Sequence, residues 1–120
     1  MSSDYGEEIK ERFLTSIENA LDELQLDKNL AKDVLDEIEY KENMMMDKFS
    51  KRLGDISWNL KDIHYSSMEG EQKIRLKVII EYEYLSKPSM EKVENIRYGL
   101  YNLIPEKDGF KIEELFFVKT

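Results

Sequence analysis

Asp62, His64 and Ser66 are the residues whose types most suggest catalysis, because an acid, a base and a hydroxyl can together activate a nucleophile. Because they are spaced two residues apart, all three lie on one face of an extended strand. Neighbours in such a row lie about 6.5–7 Å apart along the strand, whereas a catalytic triad needs contacts of about 3 Å. The spacing therefore favours a solvent-facing strand, and we expect no catalytic residues in this chain.

Carboxylates are numerous, but the sequence does not arrange them as a metal site. Glu7 and Glu11 lie one helical turn apart, and Glu81 and Glu83 share a strand face. A hard cation needs several converging oxygens, and no loop has the spacing of an EF-hand. With no cysteine, one histidine and no glycine-rich phosphate-binding motif, the usual ligands for zinc and for nucleotides are missing. We predict no metal, no cofactor and no enzymatic activity.

The negative charge of the chain is confined to its first part. Residues 1–50 contain 14 acidic and 6 basic side chains and residues 51–120 contain 12 of each, so residues 1–50 account for the net charge of −8. An acidic segment repels phosphates, which disfavours direct binding of nucleic acid. We expect an acidic helical surface to dock on a basic or amphipathic protein partner, although a solvated helix surface would look the same; its residues are Asp22, Glu23, Asp33, Asp36, Glu37 and Glu39.

The N-terminal residues and the hydropathy predict a cytoplasmic protein that does not contact membranes. The start of the chain is acidic and lacks the basic residues and the apolar stretch of a secretory signal. No apolar run approaches the roughly 18 residues that a membrane span needs.

Apolar residues at spacings of three and four predict two helices in residues 1–54. The first runs from Asp4 to about Leu24, with Asp4 and Glu7 forming a capping box. The second begins after Asp27, a plausible N-cap, and ends at Gly54. Because it would be about 40 Å long if unbroken, we expect it to bend near Asn43 or to project. The two helices form an antiparallel, acidic hairpin.

Residues 55–120 predict a small sheet. Residues 55–65 show strand alternation with a fault that a bulge near Lys61 and Asp62 would repair, and a hairpin turn containing Gly70 leads into a long strand over residues 73–85. Spacings of three and four after Pro88 predict a helix over residues 89–104. A last strand is predicted from Phe110 to Val118.

These elements predict a single α+β domain over residues 1–120. Its two layers are the helical hairpin of residues 1–54 and a ββαβ unit of residues 55–120 that forms a three-stranded mixed sheet. The strand–helix–strand order implies a right-handed crossover and a parallel relation between the last two strands. The ββαβ unit resembles half of a ferredoxin-like sheet, which is a likeness of architecture and does not determine function.

The long strand also predicts self-association. Its odd-numbered face changes from basic to acidic, so pairing with its own copy about Val78 would oppose Lys73 to Glu83 and Arg75 to Glu81. The alternative is that these charges meet neighbours within the same chain. The predicted self-association surface comprises Lys73, Arg75, Lys77, Ile79, Glu81 and Glu83, with Leu115 and Phe117 as apolar residues that need cover.

The leading prediction is therefore a small non-catalytic interaction or adaptor protein that forms a homo-oligomer. Two alternatives remain open. One is an inhibitor of the anti-restriction or anti-CRISPR type, whose carboxylates imitate nucleic-acid phosphates; an ordered double row of acids would favour it, and acids interleaved with lysine would weaken it. The other is a secretion-type chaperone, which an exposed apolar groove would favour.

Overall fold

A computed structural model describes residues 6–115 of the chain. Two helices precede a run of four strands. The elements are α1 (Glu7–Glu23), a 3₁₀ turn (Lys28–Leu30), α2 (Ala31–Leu53), β1 (Ile56–Ser67), β2 (Ile74–Ser86), β3 (Glu91–Glu106) and β4 (Gly109–Leu115). Neither described helix is long and apolar enough to cross a membrane.

The four strands form one antiparallel sheet in the order β1-β2-β3-β4, so each strand pairs with the one that follows it in the chain. The predicted ββαβ unit, with its three-stranded mixed sheet and its parallel pair, is therefore wrong. The part of the chain that was predicted to cross over as a helix is β3, an interior strand. The part of the predicted last strand after Leu115 lies outside the described residues.

The error over residues 89–104 has a physical cause. β3 carries apolar side chains on both of its faces, and apolar residues from two strand faces can mimic the three-and-four spacing of a helix. Val93 and Leu103 face the helices, whereas Ile96 and Leu100 face the other way. β-branched and aromatic residues favour a strand in this segment, and the glycine at position 99 disfavours the interior of a helix.

The two helices were predicted correctly in kind, but not in every detail. α1 buries Phe13, Ile17 and Leu21. Its N-cap residue is Gly6, without a side-chain cap, and the predicted cap Asp4 lies outside the described residues. Asp27 does cap the turn before α2, since its side chain accepts a hydrogen bond of 2.9 Å from the backbone N–H of Asn29.

α2 is continuous from Ala31 to Leu53 and ends at Gly54, which has a positive φ of 90°. One row of its buried side chains is Ile38, Glu42 and Met46, at helical spacings of four. A carboxylate therefore occupies a core position of the helix.

The first hairpin agrees with the sequence prediction. The register of β1 against β2 shifts between Leu60 and Asp62, which is the predicted bulge. The shift brings Leu60 and Ile63 to the same side, where both are buried. Gly70 in the connecting turn has a positive φ of 76°, a conformation that glycine adopts without a steric penalty.

Both helices lie on one face of the sheet and bury it. α1 packs on β1, and α2 lies over β1, β2 and β4. The even-numbered residues of β2 face the helices, and Ile74, Leu76, Val78 and Ile80 are at most 2% exposed. The sheet alternation therefore leaves a second face, formed by the odd-numbered residues of β2, that no described helix covers.

Candidate interaction surface

The uncovered face of the sheet, here called the open face, is formed by side chains that alternate with those of the core. On β2 it carries Arg75, Lys77, Ile79, Glu81 and Glu83, which were predicted from the sequence as part of a self-association surface. The register places residues of β3 beside them, with Tyr98 next to Ile79 and Ile96 next to Glu81. Because β2 and β3 pair without a register shift over their whole length, these two strands form a regular platform.

The middle of the open face is apolar. Ile96 and Tyr98 are 52% and 54% exposed, and Ile79 and Leu100 beside them are half-buried. Leu115 pairs with Leu100 across the β3–β4 register, so it extends this apolar area onto β4. Side chains of this size usually find cover in an isolated domain, and a cluster of them on a sheet face is typical of a binding surface.

Acidic side chains occupy one end of the open face. Glu81 and Glu83 on β2, with Glu94 on β3, line a shallow depression beside Ser57 and Asn59 of β1. Lys92 partly neutralises this end, because its ammonium lies 3.1 Å from a carboxylate oxygen of Glu83 and 3.4 Å from one of Glu94. Hydrogen bonds to Glu83 and then to Glu94 raise the pKa of Lys92.

Basic side chains occupy the other end. The Nζ of Lys77 lies 4.5 Å from the centre of the Tyr98 ring, a cation–π arrangement. Arg75 donates a hydrogen bond of 3.1 Å to Asn102, whose amide in turn donates one of 2.8 Å to Glu113 on β4. Lys73, just before β2, lies 3.6 Å from Glu71 in the same turn.

The proposed pairing of this strand with its own copy about Val78 cannot occur in this fold. β2 is hydrogen-bonded to β1 along one edge and to β3 along the other, so it has no free edge. Part of the alternative holds, since Glu83 meets Lys92 within the chain. Lys77 and Glu81 differ, because their direct neighbours across the strands carry no opposite charge. His64 and Leu100 lie beside Lys77, and Asn59 and Ile96 lie beside Glu81. No salt bridge involves either of them among residues 6–115.

The other predicted surface residues are distributed as follows. Leu115 is half-buried at the end of β4, and Phe117 lies outside the described residues. Asp22 and Glu23 are exposed at the end of α1, where Glu23 accepts a hydrogen bond of 2.6 Å from Ser67. The remaining acids belong to the first half of α2; Asp33 and Asp36 are exposed, and Glu37 and Glu39 are half-buried.

These helical acids do not form an ordered double row. Lys32 precedes Asp33, Lys41 follows Glu39, and the exposed Tyr40 and Met44 continue the same side of α2. Interleaving of acids with lysine is typical of a solvated helix surface. By the criterion set from the sequence, the arrangement weakens the phosphate-imitating alternative.

The covered face contains an ionic cluster that sequence reasoning missed. Glu42 of α2 is 1% exposed, and its carboxylate accepts hydrogen bonds from Arg97 and from the hydroxyl of Tyr101, both on β3. Burial raises the pKa of Glu42, and the nearby Arg97 and Tyr101 oppose that rise only in part. Burial, with the charge of Glu42, also raises the pKa of Tyr101.

The cluster explains the glycine at position 99. A Cβ on Gly99 would lie 2.5 Å from the Oε2 atom of Glu42 and 3.2 Å from the ring of Tyr101. Close approach of a side chain, not an unusual φ, therefore favours glycine at this position. The cluster was not predicted because Arg97 and Tyr101 follow Glu42 by 55 and 59 residues and lie in a segment whose sequence predicts a helix.

A groove of about 830 Å³ runs beside this cluster at the edge of β3. Within the described residues, β4 pairs with β3 only from Leu100 onwards, so the first half of β3 forms the rim of the groove. Met45 and Phe49 of α2 line one side of it, and Tyr98 and Leu100 of the open face line the other. The groove therefore joins the apolar part of the open face instead of forming a separate enclosed pocket.

Groups with catalytic potential are sparse in the described part of the chain. The Nε2 atom of His64 lies 3.4 Å from Asp62, closer than the backbone spacing implied, and Arg12 also lies 3.7 Å from Asp62. No hydrogen bond links Ser66 to this pair within residues 6–115. The same residues contain no group of three or more histidine or acidic side chains placed to hold a metal ion.

Comparison of the chain with protein-family models, with curated proteins and with solved structures found no match.

Proposed function

We propose that this protein is a non-catalytic protein-binding module that contacts its partner through the open face of the sheet. The observation that carries the proposal is the exposed apolar area around Ile96 and Tyr98, lying between an acidic and a basic end. Binding surfaces commonly combine an apolar centre with a polar rim, because burial of the centre supplies affinity and the charges set orientation.

The open face supports this function better than the helical acids do. Tyr40 and Met44 are exposed on α2, but the side chains around them are charged and solvated. On the open face, in contrast, apolar side chains from β2, β3 and β4 adjoin one another across the sheet register. A rigid sheet also holds them in fixed positions, which lowers the entropic cost of binding.

Site-specific photo-cross-linking in the native host tests the proposal. A benzophenone amino acid replaces Tyr98 in one variant and Tyr40 of α2 in the other; the two tyrosines are 54% and 64% exposed, so the positions are matched. We expect a discrete covalent adduct from position 98 and none from position 40. An adduct from position 40 alone would support docking by the acidic helices instead. Absence of an adduct at both positions would contradict the proposed function.

A further inference from the structure

The partner of the open face is, we propose, the open face of a second copy of this chain, related by a two-fold axis that lies between the sheets and perpendicular to the strands. The axis passes over the row formed by Ile79 and Tyr98. This inference depends on the proposed function and names the partner. It differs from the edge-to-edge pairing excluded above, because here two sheets stack face to face.

The charges on β2 are complementary under this rotation. Residues at equal distances on either side of Ile79 come to face each other, so Lys77 faces Glu81 of the second copy and Arg75 faces Glu83. Each pair occurs twice by symmetry. Rotation about an axis parallel to the strands and lying over β2 would instead set Lys77 over Lys77 and Glu81 over Glu81, which like-charge repulsion disfavours.

The side chains on β3 are also complementary under this rotation, which is centred on the row of Ile79 and Tyr98. Tyr98 lies at the axis and Leu100 faces Ile96 of the second copy. Asn102 lies in the row that faces Glu94, but it is only 3% exposed and adds no contact surface. Two neighbouring strands therefore share one centre, with apolar against apolar on β3 and basic against acidic on β2. Stacked sheets cross at about 30°, so the match is closest in the rows next to the axis, which contain Lys77, Glu81, Ile96 and Leu100.

Lys77 and Glu81 are the pair on which the orientation depends. Within the chain they lie four residues apart on one strand, about 13 Å, so they cannot pair with each other. Their cross-strand neighbours carry no opposite charge, as described above. Glu83 already meets Lys92 and Arg75 already meets Asn102, so the outer pairs contribute less.

The open face is large enough for a weak interface. From Arg75 to Glu83 it extends about 27 Å along the strands; β1, β2 and β3 run this whole length and make it about 14 Å wide, and β4 adds width only from the row of Leu100 towards Arg75. Each copy would bury on the order of 400 Å², or about 800 Å² in total, which is the size of a weak, transient interface. The dimer is therefore expected to dissociate measurably on dilution.

Exchange of the charges of Lys77 and Glu81 tests directly whether these two residues face each other across the interface. The full chain and three variants, Lys77→Glu, Glu81→Lys and the double exchange, are compared by sedimentation equilibrium over a wide concentration range. Each single variant sets like charges against each other twice, and we expect its dimer dissociation constant to rise at least about tenfold. The double exchange restores opposite charges and is expected to recover most of the affinity. Lys32→Glu, at an exposed position of α2, is the matched control and should leave dimerisation unchanged.

Mixing the two single variants gives the most specific result. In a heterodimer of the Lys77→Glu and Glu81→Lys chains, both inner pairs again join an acid to a base, so the mixture should dimerise at concentrations at which each variant alone is monomeric. Recovery also shows that both variants are folded. A monomeric wild-type chain at all concentrations, single variants that dimerise normally, or a mixture that stays monomeric would each overturn the inference. An adduct between position 98 and a different protein would then leave the proposed function standing.

Discussion

The two faces of the sheet are formed by the same strands but differ in how far their charged and apolar side chains are buried and paired. On the covered face, α1 and α2 bury the alternating core residues, and the one buried carboxylate, Glu42, has partners in Arg97 and Tyr101. On the open face, Ile96 and Tyr98 are half exposed, and Lys77 and Glu81 lack oppositely charged neighbours across the strands. The covered face thus pairs its buried charge within one chain, whereas the open face leaves charges that a second molecule can pair.

The largest effect is expected from breaking the ionic cluster of the covered face. Arg97→Met leaves the buried Glu42 carboxylate without its charged partner, and loss of one partner of a buried pair costs about 3–5 kcal/mol of unfolding free energy. Urea unfolding followed by circular dichroism measures it. Arg52→Met, at an exposed position near the end of α2, is the control and should change little. The Glu42→Met/Arg97→Met double variant should lose less than Arg97→Met alone; an equal or greater loss would contradict this account.

The two faces of the sheet can be compared with the same substitution, because β2 carries a leucine on each face. Leu76 is fully buried against the helices, and Leu85 is 48% exposed on the open face. Leu76→Ala is expected to lower the free energy of unfolding by about 2–5 kcal/mol, because it removes buried contacts and leaves a cavity. Leu85→Ala should change it by less than about 0.5 kcal/mol. Chemical denaturation of the monomer at low protein concentration checks both values. Similar losses of unfolding free energy would show that Leu85 is covered in the folded chain.

Gly99→Ala tests how tightly α2 is seated on β3. The added methyl group would meet the Glu42 carboxylate at 2.5 Å, so α2 or the carboxylate must move. Overpacking of this kind costs about 1–3 kcal/mol. Gly6→Ala, where an added Cβ meets nothing within 4 Å, is the matched control. Equal thermal unfolding temperatures for the Gly99→Ala protein and the wild type would contradict this expectation, because they would mean that the Glu42 carboxylate moves aside without loss of stability.

The smallest effect concerns pH. Burial holds the pKa of Glu42 above its value of 4.5 in the unfolded chain, so this group makes folding less favourable as the pH rises from 4.5 through the folded-state pKa. Arg97→Gln removes the positive charge that opposes the rise, so the stability of the variant should keep falling to a higher pH, and the total loss should grow by about 1.4 kcal/mol for each unit by which the pKa of Glu42 increases. Urea unfolding at a series of pH values measures the total loss and the pH at which it ends. Parallel curves for wild type and variant would contradict the assignment.

The sequence predicted one strand pair well and the other elements unevenly. Strict alternation over residues 73–85 identified β2 and sorted its two faces correctly, and the fault near Asp62 identified the bulge in β1, because both signals are local. β3 was mistaken for a helix because it is apolar on both faces. That error hid Ile96, Tyr98 and Leu100, which complete the apolar part of the open face.

The site depended on pairing that no local pattern encodes. Nothing near Glu42 in the sequence indicates that it is buried, because its partners Arg97 and Tyr101 follow more than fifty residues later. The charge pattern of β2 is evident in the sequence, but the edge-to-edge pairing predicted from it does not fit the strand order. Edge pairing required a free strand edge, and the strand order that removes it, with β3 beside β2, was not evident from the sequence.

A thiol-specific cross-link at the proposed axis tests the central claim most directly, because the chain contains no cysteine. Ile79→Cys places one thiol per copy next to the axis, and stacked sheets lie about 10 Å apart, within reach of a short bis-maleimide reagent. Met44→Cys, at a 46% exposed position of α2, is the control. We predict a covalent dimer from Ile79→Cys and only monomer from Met44→Cys. Monomer from both, or equal dimer from both, would contradict the account.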